Sequence, residues 1–562
     1  MATYKITMSP ATDGYYDLGS YKRLVSTTNE TARRWFNRGL VWSYAFNHEE
    51  SARCFQQAIE SDREFGLAYW GLAYSLGPNY NKPWDFFDAV ELEAVVQRTH
   101  HAVKQASSCL SGALPIERAL VNALQFRYLH EHVDVDEDCS NWNQKYADAM
   151  TEVYHEFGND LDVAALYADA LMNLSPWQLW DLESGEPASG ARTLEITSIL
   201  ERAMAQEGGS RHPGILHLYI HLMEMSPTPG RALDAANTLR DLVPDAGHLR
   251  HMPTHIDILI GDYQNAMESN QKAILADEVY FQREDPLKFY TLYRCHNFHF
   301  RIYAAMFAAQ SEACMETVAQ LEGVLPEQLL RVSSPPMADW LEAFLAIRMH
   351  ALIRFGRWQE IMDLQFPSDE ALYCTTTAMT VYAKGVALAA IGDVTGAMEQ
   401  RRRFAVASKA VPPSRMIFNN KSIDLLQVAE AMLDGELQYR RGEYDLAFAH
   451  LREANKRSYA LPYDEPWGWM QPPSHALGAL LTERGRFSEA ADVYAEDLGL
   501  GGSLPRALQH PRNVWALHGY YECLVKLGRK EEALAIKPQL DTAAAGADVP
   551  VESSCFCRSN SQ

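Results

Sequence analysis

A short punctuation mark recurs along this chain and limits its fold more than any other feature. It is Gly, then a polar residue, then usually an aromatic one: Gly261-Asp262-Tyr263, Gly356-Arg357-Trp358, Gly442-Glu443-Tyr444 and Gly485-Arg486-Phe487. Gly392-Asp393-Val394 and Gly528-Arg529-Lys530 are weaker copies. Alanine follows within a helical run, as in "GDYQNAMESNQKAI" and "GRFSEAADVYAEDL". Glycine ends a helix in a left-handed cap because it has no Cβ to clash. The aromatic residue then packs, and the small alanine lets the second helix lie close to the first. Apolar residues at helical spacing also fill "EESARCFQQAIESD" and "GRALDAANTLRDLV", and strand-like alternation is nearly absent. The pattern predicts an all-α chain of antiparallel helix pairs.

This unit resembles the tetratricopeptide repeat, a helix-turn-helix of about 34 residues. The spacing is irregular, longer from Gly442 to Gly485 than from Gly356 to Gly392, so the repeats carry insertions. The resemblance implies a superhelical solenoid, which suits 562 residues that are too many for one compact globule. The organisation read from the sequence is an N-terminal extension at 1–25, helical repeats at 26–205, histidine-rich central repeats at 206–320, and further repeats at 321–540. A short polar tail at 541–562 is expected to be disordered. Four loops are too long and aromatic for plain turns: 76–85, 175–190, 332–340 and 461–474. Loops of that kind often carry function.

The net charge of −23 argues against nucleic acid and anionic membranes as partners. No signal-peptide pattern and no long apolar stretch of membrane-spanning length is seen. Nine scattered cysteines without C-x2-C pairs fit a reduced, cytoplasmic protein. Walker, dinucleotide-binding, G-x-S-x-G and H-E-x-x-H motifs are all missing.

Histidine is the unusual residue. Of the 19 in the chain, His212, His217, His221, His248, His251, His255, His296 and His299 crowd into one short span, far more than an even scatter would place there. They fall in register as the pairs His217/His221, His251/His255 and His296/His299. His221 and His255 stand one repeat apart, and an insertion near 279–294 moves the next match to His296. Each pair sits where the first helix of a repeat belongs, and such helices line the concave face of a solenoid. Imidazoles at i,i+3 or i,i+4 can share one ion. These six residues are therefore the candidate ligands for one or two metal ions. Glu224 is a candidate ligand, base or tautomer-fixing partner, and His212 and His248, in helix-entry loops, are candidates for an outer supporting role. His48 and Asp169 are further candidates for the catalytic site. Against these stand plainer readings: buried histidines satisfied by the core, helix capping by Asn47 beside His48, or a structural zinc.

The span 206–310 also resembles a group of bacterial and fungal tetratricopeptide-repeat proteins with a histidine signature. It stands here as "HPGILHLYIHLME", "AGHLRHMPTHI" and "HNFHF". The likeness extends through "AFNHEESARCFQQAI", "LAYWGLAYSLGPNYN", "LYADALM" and "YDEPWGWM". It implies a shared site more than a shared reaction. Where this chain has Leu222, Met223 and Met225 the group carries small residues, implying a different pocket wall.

An all-imidazole set points to copper, with iron or zinc as rivals. The expected function is a metal-dependent, oxygen-using oxidoreductase acting on a small organic molecule. Trp177, Trp180, Trp467 and Trp469 are expected to form its pocket. A zinc-dependent hydrolase or lyase and a non-catalytic peptide-binding adaptor are the alternatives. The oligomeric state is not legible.

Overall fold

The computed structural model describes residues 14–133 and 139–558. It is an all-α superhelical solenoid of tetratricopeptide-like hairpins. Glu30–Tyr44 packs on His48–Ser61, Cys374–Ala390 on Val394–Ala410, Ser422–Arg440 on Tyr444–Tyr459, and Val514–Leu527 on Lys530–Ala544. Among the described residues the only strands are the short pair Met416–Ile417 and Asn420–Lys421.

The punctuation mark now has a mechanical account. All six of its glycines have positive φ, from 61° at Gly356 to 91° at Gly392. The polar residue that follows starts the next helix. Asp262 accepts from the Asn265 amide at 3.1 Å, and Asp393 from the Gly396 amide at 2.9 Å. One Gly-Asp pair thus closes one helix and caps the next.

The three histidine-bearing segments occupy first helices of successive hairpins. They are Pro213–Glu224, the bent pair Gly247–His251 and Pro253–Ile260, and Thr291–Phe307. Pro253 sits in the first turn of its helix, where its missing N–H costs nothing. Two hydrophobic bodies, one on each side, meet here, and Trp177, Trp180 and Phe289 touch both.

The chain also closes on itself. Trp515 Nε1 donates to the Met306 carbonyl at 2.7 Å, and the Tyr263 hydroxyl donates to the Pro511 carbonyl at 3.1 Å. At the other end the Asp17 amide donates to Asp245 at 2.6 Å.

The tail corrects an expectation. The last helix continues to Ala544, and residues 545–558 fold back into the C-terminal hairpins, with Ser554, Cys555 and Cys557 buried and the two cysteine sulfurs bonded. Asp548 receives the Ser311 and Glu312 amides at 2.6 and 2.8 Å, capping the helix Ser311–Gly323. A polar segment is ordered here because the fold supplies partners for its backbone, which no composition argument can see. Residues 559–562, like 1–13 of the expected N-terminal extension, lie outside the described part.

Gly261→Ala tests how tightly this closure is built. The added Cβ would lie 2.3 Å from the Pro511 carbonyl oxygen, and the backbone is held at φ 79°. Left-handed backbone and the clash together are expected to cost about 2–4 kcal/mol, read as a fall in the urea midpoint.

Candidate metal centre

Three successive first helices bring six imidazoles into one buried chain. Ring centroids are 4.8 Å apart for His217–His221, 4.9 Å for His217–His248, 4.8 Å for His251–His255 and 4.4 Å for His251–His296. His221 and His255, one repeat apart, stand 5.6 Å from each other, and His248 and His251 5.7 Å. None of the six residues is more than 6% exposed.

The hydrogen bonds decide which nitrogen each ring offers. His217 Nδ1 donates to the Tyr44 carbonyl at 2.6 Å. His251 Nδ1 donates to Asn270 Oδ1 at 2.7 Å, and that amide is oriented by Nδ2 donating to the Ala266 carbonyl. Glu224 takes two rings at once: His221 Nδ1 at 3.0 Å on one oxygen and His255 Nδ1 at 2.5 Å on the other. Four rings therefore spend Nδ1–H on a fixed acceptor and turn the Nε2 lone pair inward. Such outer bonds are how metal-binding histidines are held. Nε2 of His217 and of His221, and both nitrogens of His248, have no hydrogen-bond partner, an expensive condition for buried polar atoms.

Two all-imidazole candidate sets result, His217/His221/His248 and His251/His255/His296, each with nitrogen atoms within 4.8 Å of one another, and His221, Glu224 and His255 form a third such grouping. His248 thus groups with His217 and His221 as a candidate ligand. Glu224 is the reverse: its oxygens are engaged by two Nδ1–H groups, one ring from each set, so it orients both. His299 is not in either set. Its ring lies against Phe344 and Phe418 with both nitrogens unpartnered.

Burial, reinforced by neighbouring imidazoles, holds His217, His221, His248, His251 and His296 well below the usual histidine range. They are neutral at physiological pH, the form that binds metal. Burial pushes Glu224 up to about 8 against the pull of His255. Two further acids come from the loop 461–474. Glu465 Oε2 lies 3.1 Å from His255 Nδ1, and Asp464 lines the same cavity. Burial raises both well above the carboxylate range, and neither is ion-paired with a lysine or arginine among the described residues. In the sequence only their unusually long loop and the likeness through "YDEPWGWM" pointed at these two acids, and neither gave them a role.

The cavity at the centre measures about 30 Å³. That admits one or two water-sized species and no organic molecule. All four loops singled out in the sequence reach it, through Asn81, Trp177, Trp340 and Asp464. Of the four expected pocket tryptophans only Trp177 lines it. Trp180 Nε1 donates to the Leu222 carbonyl at 2.6 Å, Trp467 Nε1 to the Ala507 carbonyl, and Trp469 packs on His350 and Tyr382. They fasten neighbouring elements, because a long aromatic loop can serve packing as well as binding. A larger cavity of about 260 Å³ lies on the other side of Phe46 and Tyr293. His48 lines it, stacked on Phe46 and separated by that ring from His217, His221 and His248. Phe46 holds φ 54°, strained backbone at the wall between the two spaces.

Two candidates belong elsewhere. Asp169 accepts from Tyr74 and Asn173 among the N-terminal repeats. His212 Nδ1 caps its own helix by accepting from the Ile215 amide, and its Nε2 meets Asp162 at 3.2 Å. Asp162 is the hub there, bound also by Arg23 at 2.5 Å and by the Tyr21 and Tyr44 hydroxyls. The histidine density of the signature covers both a ligand site and this anchor for the N-terminal segment.

No protein-family model and no curated protein matches the chain. Solved structures similar to it include a Rap protein complexed with competence and sporulation factor, at 12% identity over 69% of this chain and 98% of that one, TM-score 0.29. Yeast Tom70 matches at 12% over 91% and 100%, TM-score 0.25, and the APC/C hetero-tetramer Cut9–Hcn1 at 11% over 93% and 97%, TM-score 0.24. The architecture rests on the chain's own hairpins.

Asp162→Ala separates the anchor from the centre. Although burial alone would raise its pKa, bonds from His212 and the charge of Arg23 hold Asp162 well below the usual range. Its stabilisation is thus complete above the unfolded carboxylate value of about 4 and fades as pH falls below it. The variant is expected to lose about 3 kcal/mol at neutral pH in chemical denaturation, with metal content unchanged.

Proposed function

We propose that this protein is a metal-dependent enzyme whose centre takes one or two transition-metal ions on His217, His221, His248, His251, His255 and His296. The observation that carries the reading is the tautomer pattern: Nδ1–H groups tied to fixed acceptors, Nε2 lone pairs aimed together. His251 Nε2 and His255 Nε2 are 2.8 Å apart with both Nδ1 positions already donating. Two lone pairs that close repel unless a cation lies between them. Three buried acids, Glu224, Asp464 and Glu465, lie at the centre with no lysine or arginine paired to them among the described residues, and burial favours their neutral form. A cation would separate the facing lone pairs and favour the ionised carboxylates.

An all-imidazole set suits copper or iron, with zinc as the rival. Copper or iron, when bound, would supply dioxygen activation for oxidation of a small organic substrate. This chain's own residues do the rest. Glu224, Asn270 and the Tyr44 carbonyl hold the rings, Phe46, Tyr80 and Trp177 keep water out, and the small cavity limits access to dioxygen- or water-sized species. An organic substrate would sit in the neighbouring 260 Å³ space or require the wall to move.

A non-catalytic repeat adaptor is the rival, and the helical-repeat architecture fits it equally well. The histidine lining does not, since a peptide clamp presents cationic side chains and asparagine to an open groove, and these rings are buried.

Protein purified without chelator or nickel affinity resin is expected to contain about one or two copper or iron ions per chain by elemental analysis. His221→Ala and His255→Ala should each abolish retention with helical circular dichroism intact. Glu224→Gln should weaken metal affinity about 10–100-fold. Metal-free wild-type protein that folds normally and takes up no added copper, iron or zinc would leave the adaptor reading standing.

A further inference from the structure

The C-terminal hairpins enclose a second hollow, and the chain fills it with its own end. Residues 551–558 are held there by side chains from several hairpins. Arg354 Nη2 donates to the Ser554 carbonyl at 2.6 Å, and Arg440 donates to the Cys557 carbonyl. The Ser554 hydroxyl donates to the His475 carbonyl at 2.7 Å and meets the Tyr494 hydroxyl at 2.5 Å. Phe556 lies against Trp515 at 6.0 Å, over Gly356, where an added Cβ would come within 2.7 Å of it. Arg558 forks onto Glu522 at 2.6 and 2.9 Å. The Arg558 amide donates to the Cys555 carbonyl at 3.2 Å, so the segment ends in a turn.

These contacts have the form of ligand recognition. Two guanidinium groups, that of Arg354 fully enclosed, read backbone carbonyls, which any peptide offers. A serine slot, an aromatic rest and a carboxylate read side chains at alternate positions. Ordinary core packing would need none of the charged groups. Arg354 shows the expense: burial lowers its pKa to about 9, against the pull of Asp497. Its Nη1 is spent on His475 at 2.9 Å, inside the network around Asp497.

We propose that this hollow is a peptide-binding site for a Ser-Cys-aromatic-Cys-basic segment closed into a turn by its two cysteines, and that residues 554–558 of this chain are its resident occupant. A partner presenting the same chemistry competes with the tail. The site is separate from the histidine centre and stands whether or not that centre holds metal. Because Asp548 of the same tail caps the helix that follows the His296-bearing one, displacement would also loosen that cap.

The test uses the full chain and a fluorescent synthetic peptide of residues 548–562 with the Cys555–Cys557 bond closed. In wild type the tethered tail outcompetes free peptide, since a short tether gives an effective concentration in the millimolar range. The double variant Phe556→Ala with Arg558→Glu should release the tail, seen as new protease cleavage within 545–550. It should bind the peptide at least tenfold more tightly than wild type by anisotropy. Peptide carrying Phe556→Ala should bind at least tenfold more weakly. A tail released without peptide uptake, equal uptake by wild type and variant, or a tail that stays protease-resistant in the variant would each overturn the proposal.

Discussion

One carboxylate in the middle of the chain holds two rings that the sequence places a full repeat apart. Glu224 accepts Nδ1–H from His221 on its own helix and from His255 on the next repeat. The second bond exists only because the repeat stack sets the two helices at the right height. With it, the two inward Nε2 atoms are fixed, and so are the two imidazole clusters they belong to. Without it the second Glu224 oxygen would lose its partner and His255 the acceptor that ties it to the neighbouring repeat. The register of the solenoid and the chemistry of the centre are therefore the same constraint.

The surroundings of that bond are built to keep it dry. Phe46, Tyr80 and Trp177 pack on the His221 ring, and Phe300 packs on His251 and His255. Burial of this kind makes polar contacts stronger and unpaired ones more costly. It also explains why imidazoles are neutral and acids protonate readily in this region. The strained backbone at Phe46 places one ring between the centre and the larger space that His48 lines. The strain marks the wall where the two spaces are nearest.

Closure of the superhelix is the second determinant. A straight stack of hairpins would leave loops 76–85, 175–190, 332–340 and 461–474 on distant turns. Contacts such as Trp515 to Met306 fold the stack round, so that all four loops meet over the histidines. The same closure makes the hollow that the C-terminal tail fills. One geometric event thus produces a dry histidine centre and a separate peptide-lined space.

The sequence by itself determined the helical hairpins and their register. Glycine at left-handed caps, aspartate at the next helix start and histidines at repeat spacing are local facts, set by backbone sterics and by the period of the repeat. It also marked the four loops as unusual. Only the tertiary structure placed His248 among the clustered imidazoles and set His299 and His212 apart from them, because ring direction depends on helix rotation within a packed stack. It alone brought Asp464 and Glu465, from several hairpins further along the chain, beside the His255 side of the centre. Long-range closure follows from small rotations summed over many hairpins, and no local pattern records that sum.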